Sequence, residues 1–311
     1  MAILKLDHVV KRFGDFTAVN DLSFSVPEGG IFGFLGGNGA GKTTSLRMAL
    51  DIIRPTSGKI EILGRAPGRD NASQIGFLPE ERGLYRGMSA RSAIAYLARL
   101  KGTPAGKAFK AADRLLTDHG LGKVKRKKIK TLSKGMAQKV QVLGAIAHEP
   151  DLIIFDEPFS GLDPVNQRGL EETIRAQAAA GRTILFSTHV MEHAERLCDR
   201  ILLIAQGKAA FEGTVRDALA LAPSLAVLET DGDYDISPVL APLGFQWTEE
   251  LGEHGNRRWR VRLENGHGAR QLPQACVEAG APLSLFEPAR ASLHEAFVAL
   301  VGDKAAITAA E

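Results

Sequence analysis

A glycine-rich run from Gly36 to Thr44 has the residue types and the spacing that hold a polyphosphate. It reads GGNGAGKTT and fits the pattern G-x-x-x-x-G-K-[ST], with Lys42 and Thr43 at its polar positions. Glycines allow the backbone to wrap closely, so that successive N–H groups converge on phosphate oxygens. We expect Lys42 to reach the β and γ phosphates of a nucleotide and Thr43 to offer its hydroxyl to Mg²⁺. Phosphate contacts are predicted for Gly36, Gly37, Asn38, Gly39, Ala40, Gly41, Lys42, Thr43 and Thr44.

A second chemical feature is the acidic pair that ends the apolar run LIIFDEP, Asp156 and Glu157. Carboxylates at the carboxyl end of a buried strand face the ligand crevice of an open α/β sheet. Asp156 is therefore predicted to position Mg²⁺, and Glu157 to polarise an attacking water, while Lys42 neutralises phosphate charge. The alternative is a surface pair of acids that does no more than end the strand.

The elements that position these residues alternate between strands and helices. Apolar strands such as IFGFL, LIIFD and TILFST are separated by helical stretches, one of them expected from Lys42 to Pro55. This alternation favours a parallel sheet buried on both faces. We predict a first domain at 1–221 with a helical insert at about 88–148, a small α+β domain at 222–303, and a frayed tail at 304–311.

Size and composition are those of a globular protein. The chain has 311 residues and a net charge of +3, from 39 basic and 36 acidic residues, which is too balanced to argue for nucleic acid. The two cysteines, Cys198 and Cys276, are predicted to be free thiols. The N-terminus is too short and too charged for a signal peptide, and no apolar run reaches the ~20 residues of a membrane helix.

The stretch TLSKGMAQKV, which precedes the acidic strand, resembles the signature motif L-S-G-G-Q of the ABC ATPases. Ser133 and Gly135 match that motif, whereas Lys134 and Met136 depart from it. Ser133 is also predicted to cap a helix, which would leave an anion-ready surface of N–H groups. The resemblance implies that Ser133, Lys134 and Gly135 close on the γ-phosphate bound by another subunit.

Other markers of the same family follow in order. The stretch SGLD (160–163) resembles the D-loop, His189 in STH stands at the switch histidine, and Phe13 in KRFG at the aromatic that stacks on adenine. By themselves His189 would be read as structural and Phe13 as part of the core. In the family's order they imply a γ-phosphate contact for His189, whose imidazole can hydrogen-bond the phosphate, and adenine stacking for Phe13.

The resemblance covers residues 3 to 220 and implies a fold, cofactors and partners. The fold is a P-loop ABC ATPase α/β core with an antiparallel β subdomain and a helical insert, followed by the small α+β domain. ATP and Mg²⁺ are the implied cofactors. The implied partners are a second nucleotide-binding subunit, identical or paired, and a separate transmembrane permease at the cytoplasmic face of the cell membrane. Nucleic acid is not expected.

The stretches LPEERGLY and ASLHEAFVALVG resemble the ABC-2-type export subgroup, in which an appended domain closes with a similar helix. Leu293, Phe297 and Leu300 are predicted to share one face of that helix. One alternative is a soluble ABC ATPase of translation or DNA repair, although the chain has only one phosphate loop and no long coiled-coil insertion. A P-loop kinase is a third possibility, which would leave the signature and His189 unexplained.

Glu80 stands where ABC ATPases usually carry the glutamine of the Q-loop. A carboxylate is a good hard ligand for Mg²⁺, so we predict that Glu80 is a metal ligand and makes nucleotide engagement more dependent on metal. The alternative is that Glu80 faces solvent while Glu81 pairs with Arg82 or Arg86.

The basic run KVKRKKIK (123–130) allows three readings: a solvated loop, a contact with lipid or a partner, or nucleic-acid binding. It contains no aromatic residue to stack on bases, which argues against the last. Leu84, Tyr85 and Met88 lie nearby in sequence, where the family's helical insert meets the membrane subunit. They are read either as an exposed interface or as packing of the insert itself.

Overall fold

The computed structural model describes residues 1–81, 83–252, 256–263, 268–289 and 291–302. The chain forms two compact units, the first spanning Met1–Val215 and the second beginning at Arg216. Arg82 and the tail predicted at 304–311 lie outside the described residues. Within the described residues, no helix is long and apolar enough to cross a membrane.

The first half of the first unit alternates between two sheets. Its elements are β1 (Ala2–Phe13), β2 (Phe16–Pro27), β3 (Ile31–Leu35), α1 (Lys42–Ala49), β4 (Ser57–Ile62) and β5 (Ile75–Leu78). Strands β2, β1 and β4 form a separate antiparallel sheet, which confirms the antiparallel subdomain. Helix α1 is shorter than predicted, because the chain turns at Asp51, whose φ is 56°.

The helical insert follows as predicted. Its helices are α2 (Ala90–Leu100), α3 (Ala105–Asp118) and α4 (Lys134–Ile146). Ser89 caps α2 by accepting a hydrogen bond from the Ser92 N–H at 3.1 Å. The apolar stripe of α2, which includes Ala93, Ile94 and Ala98, is buried and holds the insert together.

The remaining elements complete the central sheet. They are β6 (Leu152–Asp156), α5 (Pro164–Ala179), β7 (Thr183–Thr188), α6 (Met191–Leu197), β8 (Arg200–Ala205) and β9 (Lys208–Thr214). The short helix α7 (Val215–Leu219) follows and belongs almost entirely to the second unit. The strand order is β5-β6-β7-β3-β8-β9, parallel except for β9. Every residue of β3, β6 and β7 is buried, so the predicted doubly covered parallel sheet is confirmed.

The turn between β8 and β9 lies inside a run whose composition favours one continuous strand. The run RILLIAQGK reads as a single strand, but the chain reverses at Gln206 and Gly207, whose φ angles are 50° and 75°. Two successive residues with positive φ make the tight turn that suits a two-residue hairpin. The last residues of the run therefore begin β9, which pairs antiparallel with β8.

The second unit is a four-stranded antiparallel sheet with helices. Its elements are β10 (Ser224–Thr230), α8 (Ser237–Leu240), β11 (Gln246–Leu251), β12 (Arg257–Leu263), α9 (Gly268–Glu278), β13 (Leu283–Ala289) and α10 (Leu293–Val301). The strand order is β11-β12-β10-β13, around a core that contains Trp259 and Val261. The α+β character predicted for this part of the chain is confirmed. Leu293 and Phe297 are buried on α10, but Leu300 is 38% exposed, because it lies near the helix end.

Candidate functional site

The glycine-rich loop joins β3 to α1 in a conformation that side chains would obstruct. A Cβ placed on Gly36 would lie 2.3 Å from the carbonyl oxygen of Ile204, so the backbones approach too closely for any other residue. Gly41 has a φ of 104° and immediately precedes Lys42, the first residue of α1. The first N–H groups of α1 have no partner within the helix, which makes this end suitable for an anion.

Lys42 lies at the centre of the loop and is only 6% exposed. Its ammonium donates to the carbonyl oxygens of Gly36 at 2.6 Å and Gly37 at 3.1 Å. Burial lowers the pKa of Lys42, while the charges of Glu157, Asp156 and Glu80 act in the opposite direction. The loop therefore folds around a cation that nearby carboxylates stabilise.

Oxygen ligands meet at the carboxyl end of β6. The Thr43 hydroxyl lies 3.3 Å from Oδ1 of Asp156, and the Ser187 hydroxyl donates to the same carboxylate oxygen at 2.6 Å. All three side chains come from different elements, α1, β6 and β7. The hydroxyl and carboxylate predicted to hold a metal are thus within hydrogen-bond distance of each other.

Glu157 occupies a constrained position directly after this strand. Its φ is 46°, in the left-handed region that residues other than glycine rarely adopt. Its N–H donates to the Ser187 hydroxyl at 3.1 Å, and its carboxylate lies 3.5 Å from the Lys42 ammonium. Nδ1 of His189 is 3.0 Å from the same carboxylate oxygen. Glu157 is therefore held by contacts to its backbone and to its carboxylate.

One cleft of 360 Å³ in the first unit is lined by Lys42, Thr43, Glu157 and His189, whereas Asp156 and Gly36 are not among its lining residues. The structure brings together in it most residues predicted from the loop and the acidic strand, together with His189 and Glu80. The lining residues are Phe16, Ala18, Gly37, Asn38, Gly39, Ala40, Gly41, Lys42, Thr43, Thr44, Glu80, Glu157 and His189. Glu80 thus faces the site, and no Glu81–Arg86 ion pair forms among the described residues.

Phe13 is not among the described residues that line the cleft. It pairs across the β1–β2 hairpin with Phe16, which does line it. Both rings are exposed, and the ammonium of Lys11 lies 4.9 Å from the centre of the Phe13 ring. The β1–β2 hairpin therefore carries two exposed aromatic side chains, and the sequence pointed to only one of them, Phe13, as a stacking residue.

The signature residues lie elsewhere in the first unit. Ser133 caps α4 as predicted, accepting a hydrogen bond from the Met136 N–H at 3.2 Å. The ammonium of Lys134 lies beside Gly161 of the SGLD stretch, and Gly135 packs against the side chain of Asn166. Among the described residues, none of Ser133, Lys134 and Gly135 lines the cleft of its own chain.

Ser187 is a site residue that sequence reasoning missed. It is completely buried, donates to the Asp156 carboxylate and accepts from the Glu157 N–H. It therefore links both acidic residues to β7. The one signal in the sequence was its place in STH, two residues before His189.

We expect Ser187→Ala to lower the rate of the nucleotide hydrolysis predicted for this site by about 10- to 100-fold, because a small displacement of a reacting group slows the reaction strongly. Loss of two buried hydrogen bonds should also cost about 1–3 kcal/mol in the free energy of unfolding. Ser187→Thr keeps the hydroxyl and should recover part of the rate. Phosphate release and denaturant unfolding measure the two effects. Equal rates for Ser187→Ala and the wild type would remove Ser187 from the positioning role.

The geometry fits a polyphosphate accompanied by Mg²⁺. The loop backbone, the start of α1 and the Lys42 ammonium suit phosphate oxygens. Thr43 and Asp156 offer the hard oxygen ligands that Mg²⁺ prefers, 3.3 Å apart. The arrangement can bind a nucleotide phosphate and present a carboxylate, Glu157, to a water molecule.

Comparisons with known proteins agree with this geometry. Residues 19–160 match the family model described as ABC transporter. The chain is 37% identical over 301 residues to the uncharacterized ABC transporter ATP-binding protein YhaQ of Bacillus subtilis (strain 168), spanning 96% of this chain and 99% of YhaQ. It is 35% identical over 256 residues to the Nod factor export ATP-binding protein I of Ralstonia nicotianae, spanning 81% and 79% of the two chains.

A solved structure described as the ATP binding subunit of an ABC transporter has a TM-score of 0.64 and 30% identity to this chain. The alignment covers 70% of this chain and 92% of that one. The predicted resemblance and fold class are thereby confirmed. Because the match to YhaQ runs through nearly the whole of both proteins, the chain belongs to the ATP-binding proteins of ABC transporters.

Proposed function

We propose that the chain is the ATP-hydrolysing subunit of an ABC exporter and powers transport through a separate membrane subunit. The observation that carries the proposal is the convergence of Lys42, Thr43, Glu157 and His189 on one cleft, with Asp156 in contact with Thr43. A protein that only bound nucleotide would not need a buried carboxylate in a strained backbone conformation beside Lys42, the cation that binds phosphate.

Each residue has a role that follows from its place. Lys42 and the loop backbone hold the phosphates, while Thr43 and Asp156 would hold Mg²⁺, which would offset phosphate charge. Glu157 accepts a proton from water. Nδ1 of His189, 3.0 Å from the Glu157 carboxylate, orients that carboxylate toward the cleft.

The signature residues support a dimer. Ser133 caps α4 with its side chain and leaves the first N–H groups of that helix for a ligand, yet the cleft of the same chain lies elsewhere. We infer that a second nucleotide-binding subunit, identical or paired, supplies Ser133, Lys134 and Gly135 to each site. ATP then favours the closed dimer because only that state gives the nucleotide both sets of contacts.

The proposals of export and of a membrane partner are supported by resemblance and by one exposed surface. The relative from Ralstonia nicotianae carries export in its name. Tyr85, close to Glu80 in sequence, is 59% exposed and meets Tyr96 edge to face at 5.6 Å between ring centres. An exposed tyrosine that packs on a half-buried one near the Q-loop suits a contact with a membrane subunit, which would place the chain at the cytoplasmic face of the membrane.

Co-expression with a multi-span membrane protein encoded beside this chain tests the proposal. We expect the two to purify together in detergent, and ATP hydrolysis to respond to reconstitution into vesicles. Tyr85→Ala should weaken that association while leaving ATP hydrolysis by the isolated chain unchanged. Purification with ribosomes or DNA instead would establish the soluble alternative.

We expect Glu80→Gln to make nucleotide binding less dependent on Mg²⁺. Glu80 lines the cleft, and its charge acts on Lys42, so without a metal it repels the phosphates. An amide removes that repulsion, so binding in EDTA should tighten by about 3- to 10-fold. Titration of nucleotide with and without Mg²⁺ measures this effect, with the exposed Glu28→Gln as the control. If both variants bind nucleotide with the same dependence on Mg²⁺, Glu80 does not contribute to that dependence.

A further inference from the structure

The basic segment, residues 123–130, carries more positive charge than the fold neutralises. Six of its eight residues are lysine or arginine. Lys125 lies 3.4 Å from Asp113, a carboxylate that already pairs with Arg91 at 2.8 Å. Among the described residues, no other cation of the segment forms an ion pair. These cations are Lys123, Arg126, Lys127, Lys128 and Lys130, and all five are exposed.

The backbone of the segment is fixed rather than loose. The carbonyl oxygens of Lys125 and Lys127 accept hydrogen bonds from the N–H groups of Arg91 and Ala90, at 2.9 and 3.0 Å. Ile129 is buried, and its N–H donates to the Met88 carbonyl at 2.9 Å. The segment is therefore tied to the start of α2 and anchored by one apolar side chain. Such a scaffold presents the charges without the entropic cost of ordering a flexible tail.

The segment also adjoins the surface assigned to the membrane subunit. The Lys130 N–H donates to the carbonyl oxygen of Arg86 at 3.1 Å, and Arg86 follows the exposed Tyr85 in the chain. A contact of Tyr85 with a membrane subunit would bring the segment near the surface of the lipid. Tyrosine is itself enriched at the boundary between lipid and water.

We propose that the basic segment binds the anionic phospholipid headgroups of the membrane surface. The inference rests on the proposed function, which places the subunit at a membrane. Exposed lysine and arginine near a negatively charged leaflet each add attraction that falls off within the Debye length. Nucleic acid suits the segment less well, since the run of 123–130 has no aromatic residue for base stacking.

The test compares two triple variants of the full chain that lose the same charge. The first is Lys127→Gln/Lys128→Gln/Lys130→Gln, in the basic segment. The control is Lys107→Gln/Lys110→Gln/Lys208→Gln, which removes three other exposed lysines. Both are mixed with vesicles of phosphatidylcholine alone and of phosphatidylcholine with phosphatidylglycerol, and bound protein is measured by sedimentation at low and high salt.

We expect the wild type and the control to bind vesicles that contain phosphatidylglycerol, less strongly at high salt. The segment variant should bind about 100-fold more weakly, because three charges near the surface are lost. Equal binding by the two variants, or binding to phosphatidylcholine alone, would overturn the proposal. So would binding to an RNA oligonucleotide that depends on the segment, without binding to anionic vesicles.

ATP hydrolysis by the isolated chain separates this inference from the proposed function. Both triple variants should hydrolyse ATP at the wild-type rate, since no residue of the segment belongs to the cleft. If the chain hydrolyses ATP and binds its membrane subunit but does not bind anionic vesicles, only the proposed lipid contact is refuted. A chain that does not hydrolyse ATP refutes the proposed function, whatever its affinity for vesicles.

Discussion

Replacing Glu157 by glutamine should leave ATP binding within a few-fold of the wild type and lower hydrolysis by at least about 100-fold. The substitution keeps the shape of the side chain, and an amide can still accept a hydrogen bond from His189 or Lys42. It cannot take a proton from water at neutral pH, which is the role assigned to this carboxylate. The effect should therefore fall on kcat rather than on nucleotide affinity.

Phosphate release under saturating ATP measures the rate, and calorimetric titration measures the affinity. Glu28→Gln, an exposed glutamate outside the cleft, is the matched control and should behave as the wild type. Nucleotide extracted from Glu157→Gln should be ATP, because the cycle stops before the chemical step. Near-normal hydrolysis would remove Glu157 from the base role and leave Asp156 or water itself to be considered.

The parts of the site that sequence predicts are those that a short stretch of chain specifies. The spacing of Gly36, Gly41 and Lys42 determines where the loop turns and where α1 begins, so the pattern alone locates the phosphate contacts. Asp156 ends a buried strand, and the chain direction of a parallel sheet puts it at the crevice. Ser133 caps α4 through a hydrogen bond three residues away.

The parts that sequence does not predict depend on which residues lie opposite one another. Ser187 reaches Asp156 because the two are directly paired between β6 and β7, and no local pattern sets that register. Phe16 lines the cleft, whereas Phe13, its partner across the β1–β2 hairpin, is not among the described residues that do. The domain limit near residue 221 stays a prediction from the change of composition, and the two compact units meet at Val215 and Arg216.

Lys134 shows how a departure from a family motif is accommodated. The signature usually has glycine at this position, and a lysine there brings a long cationic side chain. In this fold that side chain lies against Gly161, with its ammonium 2.6 Å from where a Cβ would be. The absence of a side chain at Gly161 makes room for Lys134, so a glycine of the SGLD stretch accommodates this departure.

Replacing Lys42 by methionine should lower ATP affinity by about 100-fold, because it removes a buried charge that faces the phosphates. Methionine keeps the apolar stem, so the loss isolates the ammonium. The same ammonium lies 3.5 Å from the buried Glu157 carboxylate and donates to two loop carbonyls. Lys42→Met should therefore also reduce the free energy of unfolding by about 2–4 kcal/mol, because it leaves a buried charge without its cation.

The double variant Lys42→Met/Glu157→Gln separates these two effects. It removes both buried charges, so part of the lost stability should return, while ATP affinity should remain low. Denaturant unfolding measures the first effect and nucleotide titration the second, with the exposed Lys107→Met as the control. If the free energy of unfolding does not recover in the double variant, the unpaired Glu157 carboxylate is not the cause of the stability lost in Lys42→Met. If ATP affinity recovers with it, the ammonium acts by neutralising the Glu157 carboxylate rather than by binding phosphate.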